Sequence, residues 1–186
     1  IGLVNCFYRL PTPVNLAMRW EAFAVNADFW SQVLQARCLK PLDFALGAVM
    51  ATTRGWLSKL GGLASLLDYL ADDYQLGNRI ARAGGRIELC PVVAECWNAP
   101  MTWREVWVHQ LRWSRTIRAC QPAPYFFSIL SNATVWPLLW WVACPSGQVA
   151  LAAGLCLLAR MRAGLVLEGK MLFRRDLNSA WLAPFK

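Results

Sequence analysis

Two short groups of polar residues in this chain are of the types that carry chemistry. The first is an acidic pair, Asp72-Asp73, inside Ala-Asp-Asp-Tyr-Gln-Leu-Gly at residues 71–77, and the second is His-Gln-Leu-Arg-Trp at residues 109–113. A guanidinium can hold two oxygens of a pyrophosphate at once, and a carboxylate at a helix start can face a ligand cleft. Followed by a long apolar run, the two groups indicate an enzyme that handles a polar, phosphate-bearing donor at a membrane surface.

The acidic pair also has an ordinary structural explanation. Asp72 as a helix N-cap would stabilise that helix by about 1 kcal/mol, and Gln75 three residues later fits a variant of the capping box. Asp73 would then lie in the first turn, where the helix dipole favours a negative charge. Its side chain would be available to a ligand at the carboxyl ends of an open α/β sheet, or simply solvated.

The second group has similar alternatives. Arg112 can hold a diphosphate, or it can contact lipid headgroups from the polar face of a helix. Trp113 can stack on a sugar face or anchor the helix at the membrane interface. His109, the only histidine of the chain, is more often a satisfied polar residue than a catalytic one.

The helix that carries the second group has a clear start. Thr102-x-x-Glu105 is a capping box, and the predicted helix runs to about residue 118. At roughly 100° per residue, one arc is apolar and the opposite arc is basic, with His109 and Trp113 at the border. The apolar members are Trp103, Val106, Trp107, Leu111 and Ile117, and the basic members are Arg104, Arg112 and Arg115. This pattern favours a helix in the membrane interface over one packed on the domain core.

No charged residue occurs between residues 119 and 159, so two spans of about 20 residues fit there. Pro-Ser-Gly-Gln at residues 145–148 is the predicted turn between them. Arginines precede and follow this hairpin, which places both ends, and the preceding domain, on the cytoplasmic side. The sequence therefore predicts a multi-pass integral membrane protein.

The first hundred residues alternate between strand and helix patterns, which predicts an α/β layered domain. Strands are predicted at Ile1–Val4, Phe44–Ala51 and Arg86–Val93, and helices at Arg19–Arg37, Arg54–Leu60 and from Asp72 to the Gly84-Gly85 stop. Gly47 interrupts the second strand, as glycines do where a ligand or another backbone approaches closely.

Composition narrows the class of protein. The chain of 186 residues is 57% hydrophobic and 16% charged, contains eleven tryptophans and carries a net charge of +8. It is too apolar for an ordinary soluble domain, and its basic residues flank apolar segments, which argues against nucleic-acid binding. The seven cysteines lack metal-ligand spacing and are expected to be reduced, without a zinc site. Because the chain starts at Ile1 without a leader pattern, we expect a fragment that lacks residues at its front and at its back.

In their order along the chain, these motifs resemble family 21 glycosyltransferases, which include ceramide glucosyltransferases and related bacterial enzymes that act on hopanoid lipids. The resemblance rests on Gly-Leu-Val at the start, Phe-Ala-Leu-Gly-Ala-Val-Met-Ala-Thr-Thr-Arg at residues 44–54, the acidic run at 71–77, and His-Gln-Leu-Arg-Trp-Ser-Arg-Thr-Ile-Arg at 109–118. It implies the C-terminal part of a GT-A nucleotide-sugar domain at residues 1–101 and an interfacial helix at 102–118. A transmembrane hairpin at 119–166 and the start of a further membrane segment at 167–186 would follow.

The resemblance also implies roles for single residues. Asp73 would be the general base, which takes the proton from a lipid hydroxyl while that oxygen attacks the anomeric carbon of a UDP-hexose with inversion. Arg112 would stabilise the departing diphosphate, and Trp113 would shape the acceptor pocket. Asp72, Gly47, His109 and Gln110 complete the set of residues expected to bind substrate.

Two features depart from the family pattern. His109 stands where the motif usually has Gln or Arg, so its charge depends on pH. No Asp-x-Asp occurs, although the resemblance implies a divalent metal, Mg²⁺ or Mn²⁺, so this piece of chain is expected to be inactive alone. Two rival functions remain: a processive membrane polysaccharide synthase, and a non-catalytic membrane platform with a degenerate domain. The sequence favours neither glucose nor N-acetylglucosamine as the donor sugar.

Overall fold

A computed structural model describes residues 1–172 and Leu182. They form two compact units, one made of residues 1–10 and 31–97, and the other of residues 11–30 and the described residues from 98 onward. The predicted final segment at residues 167–186 lies mostly outside the described residues.

Three strands and eight α-helices make up the described part of the chain. The strands are β1 (Leu3–Arg9), β2 (Met50–Thr52) and β3 (Ile87–Glu95). The helices are α1 (Leu16–Phe23), α2 (Trp30–Leu39), α3 (Arg54–Lys59), α4 (Asp72–Arg82), α5 (Trp103–Cys120), α6 (Pro122–Phe127), α7 (Val135–Ala143) and α8 (Gly147–Leu172). A π-helical segment, Ala24–Phe29, joins α1 to α2, and 3₁₀ turns occupy Leu63–Leu66 and Ser128–Ser131.

The first unit is built on a three-stranded sheet in the order β2-β1-β3. β1 pairs antiparallel with β2 and parallel with β3, with an irregularity between Cys6 and Phe7. Helix α4 packs on β3, and its residue Ile80 is fully buried. The predicted mixed α/β character of this region is confirmed, although β1 continues beyond the predicted end at Val4.

Of the two predictions about the ends of α4, the glycine stop is confirmed and the Asp72 N-cap is wrong. Gly84 has a positive φ of 86°, and the N–H of Gly85 donates to the carbonyl of Ile80 at 2.9 Å, so the predicted glycine stop is confirmed. Asp72 is not the N-cap, because the cap is Ala71 and no side chain caps the helix. The Asp72 carboxylate instead accepts the N–H of Asp73 at 2.9 Å, so the predicted capping box does not form.

The strand predicted at residues 44–51 is also wrong over most of its length. Only Met50–Thr52 forms a strand, and residues 44–49 are irregular. The reason is a contact from far along the chain. The buried side chain of Asn5 accepts the N–H of Leu46 at 3.0 Å, so this backbone group is not available to a strand ladder.

In the second unit, α1 and α5 pack together. Asn15 caps α1 by accepting the N–H of Met18 at 2.9 Å, and its amide donates to the carbonyl of Met101 at 2.9 Å. The predicted capping box of α5 is confirmed, since Thr102 accepts the N–H of Glu105 while the Glu105 carboxylate accepts the N–H of Thr102. These side chains fix the start of α5 beside the start of α1.

The apolar arc predicted for α5 is divided between two environments. Val106 is completely buried, whereas Trp103, Trp107 and Leu111 are exposed, with Trp107 at 63%. His109 was placed at the border of the apolar arc, but it is partly buried on the face that meets α1, because Glu21 of α1 binds it there. The α5 helix therefore packs on protein with one face and presents tryptophans on another.

Helix α8 packs on α1 and the π-helical segment. Met161 and Leu167 contact Phe23 and Ala27, and Gly164 lies so close to Phe23 that a Cβ there would be 2.6 Å from the ring. In the same unit, Arg160 donates to Asp28 at 3.0 Å. The carboxyl-terminal half of α8 therefore has a protein neighbour along one face.

The apolar region has one helix that is long enough to cross a bilayer, between Gly147 and Lys170 of α8, among the residues described. The helical pair Pro122–Leu130 and Val135–Ala143 meets the same criteria only as a bent unit, with an angle of 47° at its break. The length and composition of α8 give weak support for membrane association. The second crossing and the orientation stay predictions.

All seven cysteines lie within the described residues, and none forms a disulfide. Cys6 and Cys90 are partners in the register of β1 and β3. Burial, and then the neighbouring Cys90, raise the pKa of the Cys6 thiol, so it is a poor nucleophile.

Candidate active site

The carboxylate of Asp73 lies in the first turn of α4, against the loop at residues 44–49. Its Oδ1 accepts the N–H of Tyr74 at 2.7 Å, and the backbone N–H of Gly47 donates a further hydrogen bond to the same carboxylate. A Cβ at Gly47 would lie 2.8 Å from Asp73 Oδ2. The missing side chain of Gly47 thus makes room for Asp73 itself. The predicted approach of a ligand to Gly47 stays a prediction.

The surroundings of Asp73 favour its neutral form more than water does. Burial is the main cause that raises the pKa of this carboxyl, and the charge of Asp72 adds to it. Hydrogen bonds from the backbone at Tyr74 and Gly47 act in the opposite direction without cancelling the effect. The side chain is half-buried, and its raised pKa makes it a better proton acceptor than an ordinary aspartate.

Tyr8 of β1 is a second ionisable group near this carboxylate. Burial raises the pKa of Tyr8, with further contributions from Cys96 and from the charge of Asp73. The phenol therefore keeps its proton and remains a hydrogen-bonding group close to Asp73. Nothing in the residue pattern around Tyr8 predicted this, because β1 meets the start of α4 only in three dimensions.

Three contacts hold the loop that carries Gly47. Asn5 binds the N–H of Leu46, as described above, and Asn78 of α4 donates to the carbonyl of Asp43 at 3.2 Å. Gly77 brings the axis of α4 close to the loop, since a Cβ there would lie 2.2 Å from the backbone nitrogen of Ala45. The position of the Gly47 N–H at Asp73 follows from these contacts.

We expect Gly47→Ala to damage function much more than stability. The added methyl group meets the end of the Asp73 side chain, which can rotate away, so the free energy of unfolding should change by no more than about 1 kcal/mol. A carboxylate displaced by about 1 Å costs about a hundredfold in rate when it acts in catalysis. Turnover by the protein in membranes and thermal unfolding of the same sample measure the two effects.

Gly55→Ala is the matched control, because its added Cβ would meet only Thr53 Oγ1 at an ordinary 3.8 Å. Full turnover in Gly47→Ala would show that the exact position of Asp73 does not matter.

The second group of candidate residues lies on α5 in the other unit. His109 Nδ1 is 2.5 Å from Glu21 Oε1, and Gln110 donates to the same oxygen at 3.2 Å. The imidazole of His109 packs on the indole of Trp113, with ring centroids 4.5 Å apart. Three of the predicted residues are thus joined in one contact chain that starts from Glu21.

Arg112 lies on α5 between Gln110 and Trp113 in sequence. Its side chain is exposed and forms no ion pair with any residue of the described chain. Its guanidinium is therefore free to bind an anion such as a diphosphate or a lipid headgroup.

Sequence reasoning found Asp73 and the residues of α5, but it missed Glu21, Tyr8 and Gly77 as residues that set their positions. Glu21 did leave a signal in the sequence. It is the one acidic residue in a stripe of α1 whose other members, including Ala17, Met18 and Ala22, are buried. An acid in such a stripe requires a polar partner from another element.

The family model for glycosyl transferase family 21 matches residues 1–186, and the chain belongs to this family. No curated protein and no solved structure matches the chain. The family gives glycosyl transfer as the general activity.

Proposed function

We propose that this protein is an inverting glycosyltransferase that moves a hexose from a UDP-sugar to the hydroxyl of a membrane lipid. Ceramide is the proposed acceptor, as in ceramide glucosyltransferases, and a hopanoid polyol is the second. The observation that carries the proposal is the Asp73 carboxylate, half-buried and held by the N–H of Gly47. The first unit would be part of a GT-A type nucleotide-sugar domain.

In the proposed reaction, Asp73 takes the proton of the lipid hydroxyl. The hydroxyl oxygen forms a bond to the anomeric carbon as the bond from that carbon to the UDP oxygen breaks. UDP leaves with the bonding electrons, and a single displacement inverts the configuration. The raised pKa of Asp73 suits this role, because the proton transfer is then closer to balanced. The transition state would be oxocarbenium-like, as in other glycosyl transfers.

The residues of α5 and the remaining predicted residues would bind the substrates. Arg112, exposed and without an ion-pair partner in the described chain, would neutralise the leaving diphosphate. Trp113 would form a wall of the acceptor pocket, while His109 and Gln110 would line it. Asp72 would contribute charge beside Asp73.

The acceptor would reach the enzyme from the bilayer. The exposed tryptophans of α5 are of the type that lies at the membrane interface, and the apolar helix α8 is long enough to cross. The apolar region at residues 119–166 would be a transmembrane hairpin. By the positive-inside tendency, both its ends and the catalytic domain would face the cytoplasm.

A metal is not part of the proposed steps. No group of three or more His, Cys, Asp or Glu side chains that could hold a metal ion occurs in residues 1–172 and Leu182. The Mg²⁺ or Mn²⁺ that the family resemblance implies would therefore be held by residues other than those described. Loss of transfer on adding EDTA, with recovery in Mg²⁺ or Mn²⁺, would show that the reaction depends on a metal held elsewhere.

The proposal is tested with the full-length protein in membranes, supplied with labelled UDP-glucose or UDP-N-acetylglucosamine and with ceramide or a hopanoid polyol. We expect one labelled lipid whose sugar has the opposite anomeric configuration to the donor. A labelled polymer would identify a processive polysaccharide synthase instead. Absence of any product from correctly inserted protein would identify a non-catalytic platform.

For Arg112→Lys we expect turnover to fall about tenfold or more, with a smaller change in the KM for the UDP-sugar. A lysine keeps the charge but loses the two-pronged hydrogen bond, which matters most as charge develops on the diphosphate. Steady-state kinetics with varied donor concentration measure the two quantities. Unchanged turnover would indicate that Arg112 contacts a headgroup, and Arg104→Lys on the same helix is the matched control.

A further inference from the structure

Glu21 is a buried acid whose purpose the proposed reaction does not explain. Its side chain is 1% exposed, and both of its recorded hydrogen-bonding partners, His109 and Gln110, belong to α5. Only Oε1 is used. Oε2 is buried and has no hydrogen-bond partner among the described residues. A carboxylate in this state is costly to bury, and apolar replacements of buried ion pairs are often neutral or stabilising.

The contact limits which ring nitrogen of His109 can carry the proton. With Glu21 ionised, the carboxylate can only accept hydrogen bonds, and the proton at the 2.5 Å contact then belongs to His109 Nδ1. A neutral His109 then has an unprotonated Nε2, which forms no hydrogen bond with the described residues. The ring is 23% exposed, so it is accessible to a small polar group.

The same contact also fixes the turn of α5 that carries the Arg-Trp pair. His109 packs on Trp113 one turn further along the helix, and Gln110 is held by the same Glu21 oxygen. The start of α5 is fixed separately by Asn15, which donates to the carbonyl of Met101. The N-cap of α1 thus binds the chain two residues before α5, and Glu21 of α1 binds its second turn, so two separate contacts oppose rotation of α5 about its own axis.

We propose that Glu21 is a positioning residue, which sets the tautomer of His109 and the rotation of the Arg112-Trp113 turn. The expected effect of Glu21 on transfer rests on the proposed function. The expected effect of Glu21 on the tautomer of His109 does not depend on that function. A carboxylate that orients a histidine in this way typically accounts for about a ten- to hundredfold effect on activity at metal sites, and the wrong tautomer is damaging in other enzymes.

Because the chain has a single histidine, the tautomer can be read directly. The sample is the full chain with ¹⁵N-labelled histidine, in lipid nanodiscs at about pH 9. Its ¹⁵N signals distinguish a protonated Nδ1 from a protonated Nε2. The signals that disappear in His109→Gln are assigned to His109. We expect Nδ1–H in the wild-type protein and a shift toward Nε2–H in Glu21→Gln.

We also expect turnover of Glu21→Gln to fall at least about tenfold, with a donor KM within about threefold of wild type. Asp68→Asn, which removes an exposed carboxylate, is the control and should leave the tautomer unchanged.

A double variant separates positioning from general damage. If Glu21 acts through His109, then Glu21→Gln should cost much less in a His109→Gln background than in the wild-type background. An unchanged tautomer, or an altered tautomer with full turnover, would overturn the inference. Transfer that is absent even from the wild-type protein would refute the proposed function, whereas the nitrogen signals would still decide whether Glu21 controls His109.

Discussion

In membranes that contain the full-length Asp73→Asn variant, the proposed transfer of hexose to lipid should fall by about a hundredfold or more, the range in which a positioned general base contributes. The amide has nearly the same shape and still accepts one hydrogen bond, but it cannot take a proton from the acceptor hydroxyl. UDP-sugar binding should persist, because the change leaves the exposed Arg112 untouched. The measurement is initial-rate transfer together with equilibrium binding of labelled donor.

The control for this experiment is Asp68→Asn, an exposed acid in the same unit. Retained transfer by Asp73→Asn would show that Asp73 only stabilises the start of α4. In the wild-type protein, transfer should decline as pH falls through the pKa of Asp73, which burial raises above that of an ordinary aspartate. This acid limb should be missing from any residual activity of the variant.

The free energy of unfolding should depend on pH differently from the transfer activity. A carboxyl with a raised pKa in the folded state stabilises the fold at low pH, and this contribution is lost as pH rises through the folded-state pKa. Near neutral pH the variant should therefore be about as stable as the wild type, within about 1 kcal/mol. As pH falls through the pKa of Asp73, the free energy of unfolding of the wild type should rise relative to that of Asp73→Asn.

Gly77→Ala should unfold the first unit or destabilise it by about 2 kcal/mol or more. Alanine favours a helix over glycine by about 1 kcal/mol, but here its Cβ would lie 2.2 Å from the nitrogen of Ala45 and 2.6 Å from the carbonyl carbon of Phe44. Both are backbone atoms, so no rotation of a side chain relieves the contact. Helix and loop have to separate, and transfer should fall as the Gly47 N–H moves away from Asp73.

The matched change is again Gly55→Ala, a glycine in helix α3 whose added Cβ meets no close neighbour. It should leave the midpoint of denaturant unfolding unchanged or slightly raised. If Gly77→Ala behaved in the same way, the close packing of α4 on the loop would be refuted.

Features set by neighbouring residues could be predicted from the sequence. The capping box of Thr102 and Glu105 depends on two residues three positions apart, and it forms as predicted. The glycine stop of α4 is local in the same sense. The wrong prediction that Asp72 caps α4 also has a local cause. The Asp72 carboxylate accepts the N–H of Asp73, so Ala71 remains as the N-cap.

Features set by distant residues could not be predicted. The irregular loop at residues 44–49 depends on Asn5, which lies 41 positions from Leu46. The pattern predicts close approach of a ligand or another backbone to Gly47, whereas the nearest described group is the side chain of Asp73, on another element. The partner of His109 is Glu21, 88 residues earlier, and only tertiary packing brings the two together.

The loop that positions Asp73 has a consequence for how the protein acquires its chemistry while folding. Its hydrogen bonds close chain segments of 41 and 35 residues, at Asn5–Leu46 and at Asp43–Asn78, so no short fragment can assemble it. Closing such segments costs entropy before any contact is gained, which makes the loop a late and cooperative part of folding. In a denaturant titration, loss of transfer should therefore coincide with global unfolding of the first unit, and a nascent chain should position the proposed base only after residue 78 has joined the fold.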